Sequence, residues 1–384
     1  MISPLDHFIL HLSLIPGVGI ETIKMLTKNL EESFIDIVYT FTPQGLQNHF
    51  GLSEKKAVVV YNGLQNATML EKERELIEKN NCFIISFLNE DYPDLLSTID
   101  SPPPILYYKG APFPSYKNTI KLAIVGSRKA NYYAKQVINQ FVPEFVKNNI
   151  CVVSGGALGV DTMAHEATLQ NNGKTMVILG SGFSKIYPYQ NKKLFENIIE
   201  KGGTVITPFS IETEPLAHNF PERNRIISGL SKAVLIVQAA EKSGAYITAK
   251  FALDQGREVC VVPGSIFDPL SVGCHNLIKE GAILADFPIT VLEACSVYAK
   301  ASSYAKATAD ETPDKSSVEN HEKEENDYSL EAKIIKQCII PVFFDELLDV
   351  FDTIESSTLQ NTLCLLQIQG KIKQDVSGAF FAVT

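Results

Sequence analysis

His218-Asn219-Phe220-Pro221-Glu222-Arg223-Asn224-Arg225-Ile226-Ile227-Ser228-Gly229-Leu230-Ser231, followed by the apolar run 233–237, decides how this chain is read. Pro221 stands where a loop turns into a helix, and Ile226, Ile227 and Leu230 follow at helical spacing. The run Ala233-Val234-Leu235-Ile236-Val237 then reads as a strand buried on both faces. A helix feeding such a strand is the unit of a parallel sheet covered by helices. Arg223 and Arg225 sit near the start of that helix. The guanidinium fork is always charged and donates two hydrogen bonds at once, so it suits phosphate. Arginine near a helix start is also a common structural ion pair, so the rest of the chain has to decide.

Working outward, apolar runs rich in β-branched residues recur at 121–125, 150–153, 175–179, 203–207, 233–238, 258–262 and 282–284, mostly separated by helical stretches. This predicts an α/β domain with an extended Rossmann-like, mostly parallel sheet. Ligands in such folds sit beyond the carboxyl ends of the strands. Small residues follow nearly every run there: Gly126-Ser127-Arg128-Lys129, then Ser154-Gly155-Gly156-Ala157-Leu158-Gly159-Val160-Asp161, then Gly180-Ser181-Gly182, then Lys242-Ser243-Gly244, then Pro263-Gly264-Ser265. Glycine and serine leave backbone amides open to an anion, and each following helix points its positive end the same way. The expectation is that amides at 126–128, 155–159 and 180–182 hold phosphate while Arg128, Arg223, Arg225 and Lys242 neutralise it. Neither Gly-x-Gly-x-x-Gly nor Gly-x-x-x-x-Gly-Lys-Ser/Thr occurs, so no nucleotide cofactor is expected.

The 384 residues suffice for two or three domains, and 45% hydrophobic with 20% charged residues describes a soluble globular protein. Net charge is −10, but residues 1–118 carry −5, residues 119–296 carry +2 and residues 297–384 carry −7. The middle segment can therefore attract a polyanion locally, because screening limits the reach of distant charge. Seven scattered cysteines (82, 151, 260, 274, 295, 338, 364) without C-x-x-C spacing read as reduced thiols of a cytoplasmic protein. The N-terminus has no signal-peptide pattern, and no run is long enough to span a bilayer.

Residues 119–284 resemble the DprA/Smf family, the DNA-processing proteins of bacterial natural transformation. The resemblance rests on Ala123–Arg128, Val153–Asp161 with Ala164-His165, Leu179–Gly182, the run 219–231, Lys242-Ser243-Gly244 through Thr248-Ala249, Val262-Pro263-Gly264 and Asn276–Ala282. It implies a Rossmann domain that binds single-stranded DNA through a basic pocket, dimerises and helps load the RecA recombinase, with no catalytic residues and no metal. The pocket residues so implied are Arg128 with Lys174, Arg223, Asn224, Arg225 and Lys242, beside Gly126, Ser127, Ser154, Gly155, Gly156, Gly159, Gly180, Ser181, Ser243 and Gly244. Two departures stand out: Thr207-Pro208 replaces a Ser-Glu pair, and Gly273-Cys274-His275-Asn276 replaces Gly-Thr-Asn.

The flanks complete a four-part expectation. Residues 1–80 read as helical. Ile15-Pro16-Gly17-Val18-Gly19 joins two short helices within 8–30 as in a helix-hairpin-helix element or a plain tight turn, and further helices cover 43–50 and 53–80. Residues 81–118, with Pro102-Pro103-Pro104, add edge strands to the sheet domain, which ends near 296. Residues 297–328 read as a flexible linker. Residues 329–384 give helices near 330–339, 343–351 and 355–369 and a hairpin turning at Ser377-Gly378, the order of a winged helix. The third helix holds no lysine or arginine, which favours a protein-docking or regulatory module over DNA reading.

Bland readings stand beside these. Asp161 and His165 have acid–base spacing, but a helix cap and a packed histidine fit as well. Cys274-His275 lacks partners at metal spacing. Tyr187, Tyr189 and Phe220 suit base stacking or packing alike. The competing function is a Rossmann-like enzyme cleaving nucleoside monophosphates at the N-glycosidic bond. It would need a placed acid, and Asp161 is the clear candidate.

Overall fold

The computed structural model describes residues 2–295 and, toward the C-terminus, 334, 337–338, 344–351, 354, 356–368, 371–374 and 380–382. Residues Met1–Lys306 form one compact unit and Ala307–Thr384 a second.

The first unit is built on a nine-stranded sheet: β1 (Phe83–Ser86), β2 (Ile105–Gly110), β3 (Ile120–Val125), β4 (Ile150–Ser154), β5 (Thr175–Ile178), β6 (Thr204–Thr207), β7 (Ala233–Ile236), β8 (Glu258–Val261) and β9 (Ile283–Leu284). Their order is β1-β2-β6-β5-β4-β3-β7-β8-β9. All seven apolar runs are strands, and all pair in parallel. β1 and β2 pair antiparallel at the edge, as the 81–118 reading expected.

Alternate residues of the parallel strands feed two cores. Ala123, Val153, Ile178, Ile206, Val234 and Val259 pack under the helices Asn219–Gly229 and Gly244–Asp254. Leu122, Ile124, Val152, Leu235 and Cys260 pack under Tyr132–Lys147 and Val160–Gln170. This two-sided cover is why the strands are apolar throughout rather than alternating.

The N-terminal helices Pro4–Leu14, Ile20–Thr27, Ile35–Thr40, Pro43–Phe50, Glu54–Leu64 and Thr68–Lys79 share a core with Tyr107, Val177, Phe195 and Val205. They are thus packed on the sheet, and Asp6 accepts the Ser86 amide at 3.0 Å. The single helical stretch expected over 53–80 is two helices. Asn66 accepts the Thr68 amide at 3.1 Å, an asparagine turn that ends one helix and starts the next. At the Ile15–Gly19 turn, Gly17 takes φ +83° and its carbonyl accepts Lys56 Nζ at 2.7 Å. Ile15 packs on Gly63, where a Cβ would fall 2.5 Å from it.

In the second unit the described residues give helices Phe344–Val350 and Ser356–Ile368 and an antiparallel pair, Ile372–Gln374 with Phe380–Ala382. Leu347, Leu359, Leu363, Leu366 and Ile372 form its core. The linker 297–328, most of the 330–339 helix and the 377–378 turn lie outside the described residues.

Candidate nucleic-acid interface

The strand order reverses at β3: β4, β5 and β6 step to one side, β7, β8 and β9 to the other. Loops leaving the carboxyl ends there part in opposite directions and open a crevice. Two adjoining clefts occupy it, both lined by Arg128, Ala157 and Arg223. The larger, about 350 Å³, adds Gly126, Ser127, Lys129, Asn224, Ser243 and Gly244. The smaller, about 60 Å³, adds Gly155, Leu158, Tyr187, Pro188 and Phe220.

Phe220 is the hub of the smaller cleft. The exposed Arg128 guanidinium lies 5.4 Å from its ring centroid and that of Arg223 5.9 Å. The Tyr187 ring, half-exposed, stands 5.7 Å away at 59°. The Phe220 ring rests on Gly180, where a Cβ would come within 2.8 Å of it. Cations over aromatic faces attract through the ring quadrupole, so the guanidiniums and rings hold one another in place before any ligand arrives.

Arg223 is buried, and its Nη1 donates to the carbonyls of Gly155 and Ile178. Burial pulls its pKa down to about 10, the Asp161 carboxylate opposes this, and Arg128 adds to it. Gly155 gives the guanidinium its room: a Cβ there would lie 2.3 Å from Arg223 Nη1, so a larger residue has to displace it. Asp161 accepts the amides of Gly155 at 3.1 Å and Ala157 at 3.2 Å. Burial raises its pKa, and Arg223 and those amides work against the rise. His165 is fully buried, meets Thr175 Oγ1 at 2.7 Å, and has its pKa pushed to about 3 by burial, with Arg223 adding. Asp161 and His165 are therefore a loop clasp and a packed ring with separate partners; the packed histidine was expected, whereas Asp161 is not the helix cap, a place taken by Gly159 ahead of Val160–Gln170.

Three expectations are corrected. Arg225 does not join Arg223. It is half-buried and donates to the Ser101 carbonyl of the 81–118 segment. Residues two apart on a helix project to different sides, so the two arginines cannot share one pocket. Lys174 precedes β5 and so lies at the amino ends of the strands, away from the crevice. Its Nζ donates to Ser115 O at 3.0 Å and sits 5.5 Å from the Tyr116 ring.

The strand-end amides, third, are mostly not free for a ligand. Ser127 N donates to Gln238 O at 2.7 Å and Gly182 N to Thr213 O at 2.9 Å, while Gly155 N and Ala157 N serve Asp161. Much of the expected amide cradle is spent inside the protein. Its small residues serve close packing instead. A Cβ on Gly156 would strike Phe195 at 2.7 Å, and one on Gly159, at φ +84°, would lie 2.3 Å from Ser127 O. Ser154 is buried and donates to Ile124 O at 2.6 Å, and Ser181 is buried with its carbonyl accepting Thr207 Oγ1 at 2.9 Å. Lys242 is exposed in the turn leading to Ser243.

Lys129, which follows Arg128 in the first strand-end turn, lines the larger cleft as the sequence suggested; sequence reasoning missed Gln238, which is buried and ties that turn together from beneath. Its side chain bonds Asn131 Oδ1 at 3.0 Å while its carbonyl holds Ser127. The polar residue closing the apolar run 233–238 was the available signal. Cys274 is buried and His275 Nε2 meets Gly264 O at 3.0 Å. No group of potential metal ligands occurs among the described residues.

Residues 83–296 match the family model of DNA recombination-mediator protein A. Protein Smf of Escherichia coli (strain K12) is 42% identical over 222 residues, covering 56% of this chain and 58% of that protein. DNA processing protein DprA of Bacillus subtilis (strain 168) is 42% identical over 198 residues, covering 52% and 66%. The chain thus spans about three-fifths to two-thirds of these curated relatives' length. Among solved structures, DNA processing protein A from Streptococcus pneumoniae aligns with TM-score 0.63 and 32% identity, covering 76% of this chain and 98% of that one. DNA processing protein A from Helicobacter pylori, reported for its single-stranded DNA binding mode, aligns with TM-score 0.50 and 28% identity, covering 57% and 96%. Matched over more than half its length, in the sheet that carries the crevice, the chain belongs to the DNA recombination-mediator protein A family.

Proposed function

We propose that the crevice binds single-stranded DNA without cleaving it and that the protein acts in DNA processing during transformation. The observation that carries this is Phe220 with the Arg128 and Arg223 guanidiniums 5.4 and 5.9 Å from its ring centroid and Tyr187 beside it, at the switch point of the sheet. Interleaved aromatics and cations suit a strand whose bases are unpaired: rings stack on bases and guanidiniums meet phosphates, with little regard to sequence. A duplex hides its base faces. Arg128 and Lys129, both exposed, supply most of the charge in this reading, with Lys242 beyond them. Arg223 forms the wall.

The alternative N-glycosidase reading is disfavoured by a specific contact. Its one candidate acid, Asp161, is buried and already accepts two loop amides. The family resemblance further supports homodimerisation, which would lengthen the strand's path, and RecA loading in the cytoplasm. No helix among the described residues is long and apolar enough to cross a membrane. The second unit, with its two described helices and strand pair, fits a winged helix. The absence of lysine and arginine from 355–370 suits it to docking or regulation. With a linker over 297–328, the four-part division 1–80, 81–296, 297–328 and 329–384 remains our proposal.

The test is binding of single- against double-stranded oligonucleotides of one sequence at two salt concentrations. Preference for the single strand, weakening as salt rises, is expected. Equal binding, or release of free base from nucleoside monophosphates, overturns the proposal.

A further inference from the structure

We propose that Glu73, on the N-terminal helix Thr68–Lys79, is a positioning residue for the DNA crevice: its carboxylate seats the 208–218 segment on the strand-tip turn 180–184, and thereby fixes where Phe220 stands. This rests on the DNA-binding reading above.

Glu73 is only 6% exposed, yet it lies on a helix facing the shared core. A carboxylate in such a place needs hydrogen-bond partners. It has two, and neither is on its own helix. Ile211 N donates to its Oε1 at 2.8 Å from 138 residues away, and the Tyr107 hydroxyl of β2 bonds the same carboxylate. The neighbouring Lys72–Glu212 pair, 2.6 Å and exposed, spans the same junction but adds little.

From Ile211 the contacts run straight to the crevice. Ser184 N donates to Ile211 O at 2.9 Å, and Gly182 N to Thr213 O at 2.9 Å. The backbones touch so closely that a Cβ on Gly182 would lie 2.2 Å from Ser210 O. The segment's far end is held by the buried Asn219, whose Nδ2 donates to Glu214 O at 2.9 Å and Gly180 O at 3.2 Å. Phe220 follows at once and rests on Gly180. The entry to the arginine helix is thus clamped at one end by Asn219 and at the other by a carboxylate from the N-terminal layer. Removing the carboxylate leaves the Ile211 amide buried without an acceptor, and the segment lifts to reach water.

Three variants in one oligonucleotide assay test this. Glu73→Gln keeps an oxygen for Ile211 and places an amide near the Tyr107 hydroxyl, so binding close to that of the parent is expected. Glu73→Leu keeps the bulk and loses the acceptor. It is expected to bind about tenfold more weakly, the scale of one orphaned buried donor, with the salt slope unchanged because the phosphate contacts survive. Faster amide exchange at 210–213 should accompany the loss. Parent-like binding by Glu73→Leu, or equal weakness of Glu73→Gln, overturns the proposal. Arg128→Ala run alongside separates this failure from failure of the DNA reading itself, since it tests the crevice without touching Glu73. Should Glu73→Leu not fold, native-state exchange of the parent protein decides. The Ile211 and Thr213 amides must open with the same denaturant dependence as helix Thr68–Lys79, and independent opening of the segment refutes the coupling.

Discussion

Replacing Arg128 with alanine removes an exposed cation from the mouth of both clefts while leaving the buried wall intact. In the free protein its guanidinium lies over Phe220 at 5.4 Å, a contact that keeps it pointing into the crevice at no cost to the core. A charge-assisted hydrogen bond to a DNA phosphate contributes about 1.5–3 kcal/mol, so Arg128→Ala should weaken binding by roughly 10- to 150-fold at low salt. The loss should fall equally on all sequences, because a phosphate contact reads none. It should also shrink with salt: one contact fewer lowers the single-strand salt slope by about 0.7, which narrows the gap roughly 2.5-fold between about 50 and 200 mM. Fluorescence anisotropy with two unrelated oligonucleotides across a salt series measures both quantities. Arg128→Lys keeps the charge and loses the fork, so it should keep the slope and recover only part of the affinity. If Arg128→Ala matches the parent in affinity and slope, the strand does not pass through this crevice.

Arg225→Ala should do the opposite: it frees the Ser101 carbonyl and lowers stability by about 1–2 kcal/mol in a denaturant titration, while leaving the salt slope of DNA binding unchanged. Gly155→Ala places a methyl group 2.3 Å from Arg223 Nη1, so the guanidinium must leave both its carbonyls. A stability loss of about 1–3 kcal/mol, the scale of a buried donor left unsatisfied, with weaker binding, is expected from the denaturation midpoint and the same anisotropy assay. His165 supplies a pH test. Its folded pKa, about 3, lies below the unfolded value of 6.5, so the unfolded chain binds the extra proton and stability falls as pH drops from 6.5 toward 3. Asp161 and Glu73, both raised mainly by burial, act in the opposite sense. The difference between parent and His165→Leu isolates the histidine: between pH 7 and about 4.5 the parent should lose roughly 2.5 kcal/mol more than the variant. Parallel loss in both would contradict the buried neutral ring.

The sheet was legible because helices cover both its faces, leaving every parallel strand a continuous apolar run with its turn residues at one end. The crevice was legible from those turns. What stayed hidden depended on direction. Arg223 and Arg225 are two letters apart in the sequence, yet they face a cleft wall and a proline-rich crossing respectively. Lys174 is one residue from a strand, but from its wrong end. Glycine-rich turns announce close backbone approach without saying what approaches. Here it is mostly the protein itself: Arg223 at Gly155, Phe195 at Gly156, Ser127 at Gly159. Thr207, one of the two departures from the family pattern, closes its own turn by donating to Ser181 O at 2.9 Å and accepting Phe209 N at 3.2 Å. Glu73 could not have been found by pattern, since its partner is 138 residues away.

The most direct trial of the central claim is photocrosslinking of the protein to a halogenated single-stranded oligonucleotide, with the adducts mapped by mass spectrometry. Adducts at Phe220 and Tyr187, abolished by excess unlabelled single strand and reduced by Arg128→Ala, are the predicted result. Adducts confined to Tyr116 and Lys174 at the opposite ends of the strands, or to the Ile15–Gly19 turn, would contradict it.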